Sequence, residues 1–188
     1  MTGEMTQPMT TRHLPGVPAS WFERPDGSSG AYGIHGIGHT LRVWIHAQEI
    51  AEVLGLAEWQ REALHYAALW HDIGRTDDGV DYYHGAKSAG KVQGLGLHVE
   101  VEPQSRDAAL YAITHHCGSE EHGERAATWL PDREGALTVF RVLKDADGLD
   151  RVRLGADELD VRQLRFEVSC RRVARAWELL ERVGRGVE

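Results

Sequence analysis

Histidine and aspartate side chains stand at the ends of several apolar helical stripes in this chain. In the stretch LHYAALWHDIGR, residues 64–75, three apolar residues and then His71 fall at i, i+3, i+4 and i+7, which is one face of an α-helix. His71 therefore points toward the core, Asp72 follows it directly, and Gly74 is placed to end the helix. A buried imidazole beside a buried carboxylate is costly unless both are paired or bind a metal. Taken alone, the dipeptide also fits a structural histidine with an aspartate at a helix end.

Three other segments place a metal-binding side chain on an inward helical face in the same way. Each of these side chains begins or ends an apolar stripe. The three side chains, with the helices predicted to carry them, are His39 (about 38–55), His116 (104–116) and Asp147 (136–153). Singly, His39 also fits a helix-start residue in contact with solvent, and Asp147 fits a helix-end aspartate bonded to nearby backbone.

Four inward-facing ligands on four helices are best explained by one shared partner in the core, and a metal ion satisfies them all. Sites of this kind are built between facing helices in bundles. Imidazole and carboxylate ligands without a thiolate suit Fe, Mn, Co, Ni or Zn and leave positions open for water. The sequence therefore predicts a divalent transition-metal cofactor, one or two ions per chain.

The order and spacing of these residues resemble the HD-domain superfamily of metal-dependent phosphohydrolases. The H…HD…D signature of that family matches four residues of this chain: His39, His71, Asp72 and Asp147. The flanking sequences HTLRV, ALWHDIGR and DADGLD agree with it, and the resemblance covers about residues 35–155. It implies an all-α fold, a compact single-domain helical bundle with a metal site in its core.

Two histidines lie where dinuclear members of the family carry additional ligands. His84 occurs in HGAKSA and His116 ends ITHH. The resemblance thus implies a dinuclear H…HD…H…H…D site, with a mononuclear site as the alternative. In that alternative His84 is a loop histidine that contacts substrate, and His115 could replace His116 as the ligand. The six implied metal ligands are His39, His71, Asp72, His84, His116 and Asp147.

The resemblance implies an enzyme, a hydrolase of the phosphatase or phosphodiesterase type that cleaves a phosphomonoester or phosphodiester of a small molecule such as a nucleotide. A metal lowers the pKa of a bound water from ~15.7 toward ~7. His71 and Asp72 would form the catalytic centre, and Asp145 would orient an imidazole N–H. Five side chains are candidates for substrate binding, with Arg75 the strongest and a surface role open to each: Arg75, Lys87, His115, Lys144 and Arg42.

Arg75 stands at the third position after Asp72, where deoxynucleotidases of the family often place a catalytic glutamate. This argues against a simple nucleotidase, and the absence of a GYP motif argues against a cyclic-dinucleotide substrate. Mixed-valent diiron oxygenases resembling inositol oxygenase use the same ligand pattern with a basic residue at this position, and they cleave a C–C or C–P bond. A non-catalytic module that binds a metal or nucleotide is the third reading.

Composition limits the partners that we expect. A net charge of −8 argues against a broad nucleic-acid or membrane surface, so the expected partner is a small phosphorylated molecule. Cys117 and Cys170 form no C-x-x-C pair and no disulfide framework, which favours a reducing cytoplasm. The sequence contains no run of about 18 apolar residues that would span a membrane.

The 188 residues fit one domain with a short leader. Residues 1–30 are polar and proline-containing and are expected to be loosely structured, with a short helical turn whose Trp21 and Phe22 pack onto the body. Residues 31–188 form the helical domain. It ends in a long amphipathic helix over about 161–184, which offers a seam for a homodimer.

Overall fold

The computed structural model describes residues 14–184, and within that range the chain is helical with no β-strand. The all-α prediction is therefore confirmed. Short 3₁₀ turns connect some of the helices. The eight α-helices are α1 (Ile37–Val53), α2 (Glu58–Trp70), α3 (His84–Gly94), α4 (Pro103–His115), α5 (Glu120–Ala126), α6 (Arg133–Leu149), α7 (Glu167–Cys170) and α8 (Val173–Val183).

The core lies between α1, α2, α4 and α6, which pack on one another, while α3 covers α4 and α8 lies on α1. The apolar stripes predicted from the sequence are the faces that these helices bury. Leu64, Ala67 and Ala68 of α2 are completely buried. Phe140 and Leu143 of α6 are completely buried as well. Burial of these faces brings the polar residues at the stripe ends to one place.

The helix that carries His71 ends earlier than its pattern predicts. The last helical residue of α2 is Trp70, and Gly74 does not adopt a positive φ. Its role is close packing, because a Cβ at Gly74 would lie 2.3 Å from the backbone nitrogen of Ser88 in α3. The Gly74 N–H donates to the Ser88 hydroxyl over 3.0 Å. Glycine at this position therefore allows α3 to approach the turn that holds the His-Asp pair.

The prediction of one long helix over residues 161–184 is wrong. A 3₁₀ turn, the short α7 and the separate α8 occupy this segment instead. The buried carboxylate of Asp145 accepts the backbone N–H groups of Arg165 and Phe166 over 2.9–3.0 Å. A continuous helix would have bonded these N–H groups internally. Asp145 thus holds the chain extended at this point.

The apolar face of α8 is buried within the same chain. Ala176, Leu179 and Leu180 belong to the hydrophobic core, and α8 packs on α1. This face is therefore not available as the predicted homodimer seam.

The N-terminal segment packs on the bundle where the structure describes it. The first 13 residues of the predicted leader lie outside the described range. The predicted turn is a 3₁₀ helix, Ala19–Phe22, in which Phe22 is buried and Trp21 packs against the core. None of the helices between residues 14 and 184 has both the length and the apolar character needed to cross a bilayer.

His46 is a buried structural histidine with an expected effect on acid stability. Its side chain is fully buried, neither ring nitrogen has a hydrogen-bond partner within residues 14–184, and burial lowers the pKa of His46 to about 3. Below pH 6.5 the unfolded chain takes up a proton here and the folded chain does not, so folding stability is lost as the pH falls toward 3. This residue alone should cost about 2 kcal/mol between pH 7.5 and pH 5.

We expect His46→Leu to remove that part of the acid sensitivity. Urea unfolding of the metal-free protein at pH 7.5 and pH 5.0 measures it. The exposed His122 offers a control, His122→Leu, which should leave the parent's pH dependence in place. If the His46→Leu protein loses as much unfolding free energy on acidification as the parent, the assignment of this effect to His46 is wrong.

Candidate metal centre

The structure brings five of the six predicted ligands together in two groups that share Asp72. In each group the donor atoms lie within 4.8 Å of one another; the first triad is His39, His71 and Asp72, and the second triad is Asp72, His84 and His116. These five residues are buried. Asp147 adjoins the first triad, with its Oδ1 3.4 Å from His39 Nε2. Its side chain is 32% exposed, so it opens toward solvent rather than ending a fully buried stripe.

Three of the four imidazoles are held by backbone carbonyl groups three residues earlier in the chain. His71 Nδ1 lies 2.8 Å from the Ala68 oxygen, and His116 Nδ1 lies 2.7 Å from the Ile113 oxygen. His84 Nδ1 bonds the carbonyl of Asp81 in the same way. A carbonyl oxygen only accepts hydrogen bonds, so each Nδ1 carries the proton and each Nε2 presents a lone pair.

The fourth imidazole is held by a carboxylate. His39 Nδ1 lies 2.7 Å from Asp150 Oδ2, and both side chains are fully buried. Burial alone would raise the pKa of Asp150, but the contacts with His39 and Arg42 have the larger combined effect. The pKa of Asp150 is therefore lowered, and the carboxylate stays ionised. His39 therefore also presents the lone pair of Nε2 to the site.

These lone pairs face one another at short range. His39 Nε2 lies 3.0 Å from His71 Nε2, and His84 Nε2 lies 2.9 Å from His116 Nε2. Neither nitrogen of a pair has a proton to donate, and burial lowers the pKa of His71 to about 3 and lowers that of His84. A cation shared by both nitrogens removes the repulsion that two facing lone pairs create. The donor set thus fits a divalent metal ion at each pair.

Asp72 connects the two triads through its two carboxylate oxygens. Oδ2 faces the first triad, 3.4 Å from His39 Nε2, and Oδ1 faces the second triad, 3.2 Å from His84 Nε2. Oδ1 is buried and has no hydrogen-bond partner among the described residues. An anionic oxygen buried in this way requires a compensating cation. The position of Asp72 suits a carboxylate that bridges two ions.

The sequence suggested that Asp145 orients an imidazole. In the structure, Asp150 has this role instead. Asp145 lies on another face of α6, where Arg165 and the following backbone bind its carboxylate. Asp150 follows Asp147 by three residues at the end of α6, a spacing that keeps both on one face. The same DADGLD segment thus contained the signal, but the spacing alone does not say which aspartate meets a histidine.

A cavity of about 530 Å³ opens beside the two triads. Asp72, His84, His116 and Asp147 form part of its wall. Its volume falls within the usual range for small-molecule sites. Seven further acidic, arginine or histidine side chains line it: His35, Arg75, Asp78, Asp81, Arg151, Arg153 and Glu158. Of these, only Arg75 was among the substrate-binding residues predicted from the sequence.

Arg75 lies at the boundary between the cavity and the metal ligands. Its Nε is 3.1 Å from Asp72 Oδ2, and its Nη1 donates to the Gly79 carbonyl over 3.1 Å. Lys144 lies in an adjoining cavity of about 300 Å³ that shares His116 and Asp147 with the first. The Lys144 ammonium donates to the His116 carbonyl over 2.7 Å, so it holds the end of α4.

The other predicted substrate contacts lie elsewhere. The Lys87 ammonium pairs with Asp81 over 2.7 Å and faces a separate cleft, and His115 faces a third cavity beside Tyr82. Arg42 requires a correction, because its side chain is completely buried and its guanidinium binds Asp150. Arg42 is therefore not a substrate contact.

His35 is a cavity residue that the sequence did not single out for substrate binding. It precedes His39 by four residues, and its Nδ1 lies 3.3 Å from Asp78. Burial lowers the pKa of His35 to about 4, so its ring is neutral near pH 7. The four-residue spacing from His39 was the sequence signal that could have identified His35. Its contact with Asp78 could not be predicted, because tertiary contacts place the loop that carries Asp78.

The second triad depends on close packing of α3 against α4. A Cβ at Gly85 would lie 2.4 Å from the Ile113 carbonyl oxygen and 3.2 Å from His116 Nδ1. We therefore expect Gly85→Ala to destabilise the protein by about 1–3 kcal/mol and to weaken metal binding at His84 and His116. Urea unfolding and Co²⁺ titration measure the two effects.

The control is Gly90→Ala in the same helix, where a Cβ would have no atom within 4 Å. This substitution should be neutral or stabilising by up to about 1 kcal/mol. Equal effects of the two substitutions would contradict this account.

The helical fold and the two histidine-aspartate triads are typical of one class of protein, and comparison with protein families identifies the same class. The family model for the HD domain matches residues 36–152, most of the chain. The protein therefore belongs to the HD-domain superfamily, whose members bind divalent metals and are mostly metal-dependent phosphohydrolases. Searches of curated proteins and of solved structures gave no significant match.

Proposed function

We propose that this protein is a metal-dependent phosphohydrolase that cleaves a phosphomonoester or phosphodiester of a small molecule such as a nucleotide. The observation that carries the proposal is the convergence of four Nε2 lone pairs and both Asp72 oxygens beside a cavity of about 530 Å³. The two triads that share Asp72 support a dinuclear centre, with Asp147 as the sixth ligand.

The residues of the chain divide the work of such a reaction. Divalent ions held by the six ligands would supply a hydroxide nucleophile near neutral pH and polarise the phosphoryl group. His71 and Asp72 would hold the ions at the catalytic centre. Arg75 adds a guanidinium at the cavity boundary, where it can stabilise charge on the phosphoryl oxygens. Lys144 keeps His116 in place through the backbone of α4.

The cavity supports a small substrate rather than a polymer. Its volume suits a small molecule, and its wall combines arginine side chains with Asp78, Asp81 and Glu158. A nucleic-acid surface would instead carry an excess of Lys and Arg along the backbone path, whereas this chain has a net charge of −8. We therefore propose a small phosphorylated molecule as the substrate.

An oxygenase on the same ligands is the second candidate. Its basis is the second histidine pair, His84 and His116, because a diiron centre requires two metal positions. Nitrogen and oxygen donors without thiolate suit iron as well as Mn, Co, Ni and Zn. Arg75 is the basic residue that this reading expects after the His-Asp pair.

Metal analysis together with a substrate panel separates these functions. The protein is purified without added metal, its metals are quantified, and it is assayed on phosphomonoesters, phosphodiesters and nucleotides with and without oxygen. Oxygen-independent hydrolysis of a phosphoester with one or two ions per chain supports the phosphohydrolase. Two irons per chain with O₂ consumption and no phosphoester hydrolysis would favour the oxygenase. Failure to bind any metal after soaking would contradict both.

A further inference from the structure

His39 is the one imidazole of the centre whose orientation depends on a distant part of the chain. The other three donate from Nδ1 to carbonyl groups three residues away, contacts that their own helix ends supply. His39 instead donates to Asp150, 111 residues later in the chain. Its orientation therefore depends on tertiary packing.

Asp150 is in turn held by Arg42, which is also completely buried. Arg42 Nε lies 2.6 Å from Asp150 Oδ1, and Arg42 Nη2 lies 3.0 Å from Asp150 Oδ2. This is the paired geometry of a guanidinium on a carboxylate, which fixes the plane of the carboxylate as well as its position. Because Oδ2 accepts from both Arg42 and His39, the arginine fixes the atom that orients the imidazole.

The third contact of Arg42 reaches the end of α8. Arg42 Nη1 donates to the backbone carbonyl of Gly184, which directly follows that helix. The contacts thus run from Gly184 through Arg42 and Asp150 to His39. Every side chain between the helix end and the imidazole is completely buried. In the part of the chain that the structure describes, no equivalent series of contacts joins α8 to the imidazoles of the second triad, which local carbonyls hold.

We infer that Arg42 and Asp150 are positioning residues that set the metal affinity of the first triad and make it depend on the docking of α8. This inference rests on the proposed metal centre but not on any particular reaction. Residues that orient a metal-binding histidine in this way typically change metal affinity 10–100-fold when they are replaced. If the Arg42–Asp150 pair were purely structural, its replacement would lower folding stability but would not change the metal affinity of one triad more than that of the other.

Asp150→Asn is the direct test. With its amide oxygen toward Arg42, the new residue presents NH₂ to His39 Nδ1, and this favours the tautomer that carries its proton on the metal-binding nitrogen. We expect one of the two Co²⁺ ions taken up by the metal-free protein to bind about 10–100-fold more weakly, with the other unchanged. The absorption bands of the affected Co²⁺ should also shift.

Asp145→Asn is the matched control. Asp145 is equally buried and is also bound by an arginine, but its partner is Arg165 and it contacts no imidazole among the described residues. We expect both Co²⁺ affinities to stay within about twofold of the parent, whatever happens to the melting temperature. Arg42→Lys, which keeps the charge but loses the paired geometry, should weaken the same Co²⁺ ion as Asp150→Asn by a smaller factor.

The outcomes are distinguishable. Parent-like affinity for both Co²⁺ ions in a folded Asp150→Asn protein would overturn the inference, as would equal weakening of both ions. If Asp150→Asn does not fold, Arg42→Lys decides by the same criterion. A parent protein that takes up no Co²⁺ contradicts the metal centre itself. A parent that binds Co²⁺ but hydrolyses no phosphoester contradicts only the proposed reaction and leaves this test valid.

Discussion

Asp72→Ala should abolish metal binding at both triads and lower phosphoester turnover by at least about 10³-fold. Asp72 is the one residue that both triads share, and each of its oxygens faces a different histidine pair. Its removal leaves the His84–His116 pair without an anionic ligand and the first triad with only the adjoining Asp147. Loss of the metal's charge stabilisation is worth several kcal/mol, and each 1.36 kcal/mol is a factor of ten in rate. Elemental analysis and initial rates on the parent's best substrate measure the two effects.

The control for this substitution is Asp78→Ala. Asp78 lines the same cavity and carries the same charge, but it contributes no donor atom to either triad. Its replacement should leave the metal content unchanged. Circular dichroism should show the helical fold in both variants. An Asp72→Ala protein that retains its metal and its activity would disprove the proposed centre.

His84→Ala and His116→Ala should each reduce the metal content from two ions to one and lower turnover by about 10²-fold or more. Each substitution removes one nitrogen from the second triad, while the donors of the first triad remain. Neither side chain supports a helix interior: His84 begins α3 and His116 follows α4. The fold should therefore persist, which circular dichroism and thermal unfolding can establish.

His39→Ala is the corresponding substitution in the first triad. It removes a donor of the first triad and should leave one ion at the second. The ion that remains should therefore differ in its Co²⁺ spectrum from the one retained by His116→Ala. If His84→Ala and His116→Ala proteins still bind two ions per chain, the dinuclear assignment is wrong, and those histidines would serve as substrate contacts.

Several residues of the candidate site could be predicted from the sequence because they follow from local periodicity. Apolar residues at i, i+3, i+4 and i+7 predict which face of a helix is buried. His71, His116 and Asp147 each continue an apolar stripe. The all-α fold follows from the same periodicity. His39 and His84 stand at helix starts, where pattern and family resemblance together were needed to select them.

The residues that support the ligands could not be predicted in this way. Asp145 and Asp150 both lie at the end of α6, and which of them meets an imidazole depends on contacts more than 100 residues apart in sequence. Arg42 resembles a surface cation by type, but it is completely buried and binds Asp150 and the Gly184 carbonyl. The break of the predicted C-terminal helix has a similar cause. The Asp145 carboxylate competes for backbone N–H groups, a tertiary effect that overrides amphipathic periodicity.

The composition of the ligand set has a consequence for charge balance. Four of the six side chains are imidazoles, which bind a metal ion in their neutral form, and Asp72 and Asp147 are the two carboxylates. Two divalent ions held by this set would leave an excess of two positive charges, which matches a phosphate dianion. With a phosphomonoester as substrate, the same balance favours the inorganic phosphate that hydrolysis releases, since it carries comparable charge in a smaller volume. Product inhibition by phosphate and by other tetrahedral oxyanions is therefore an expected property of this centre.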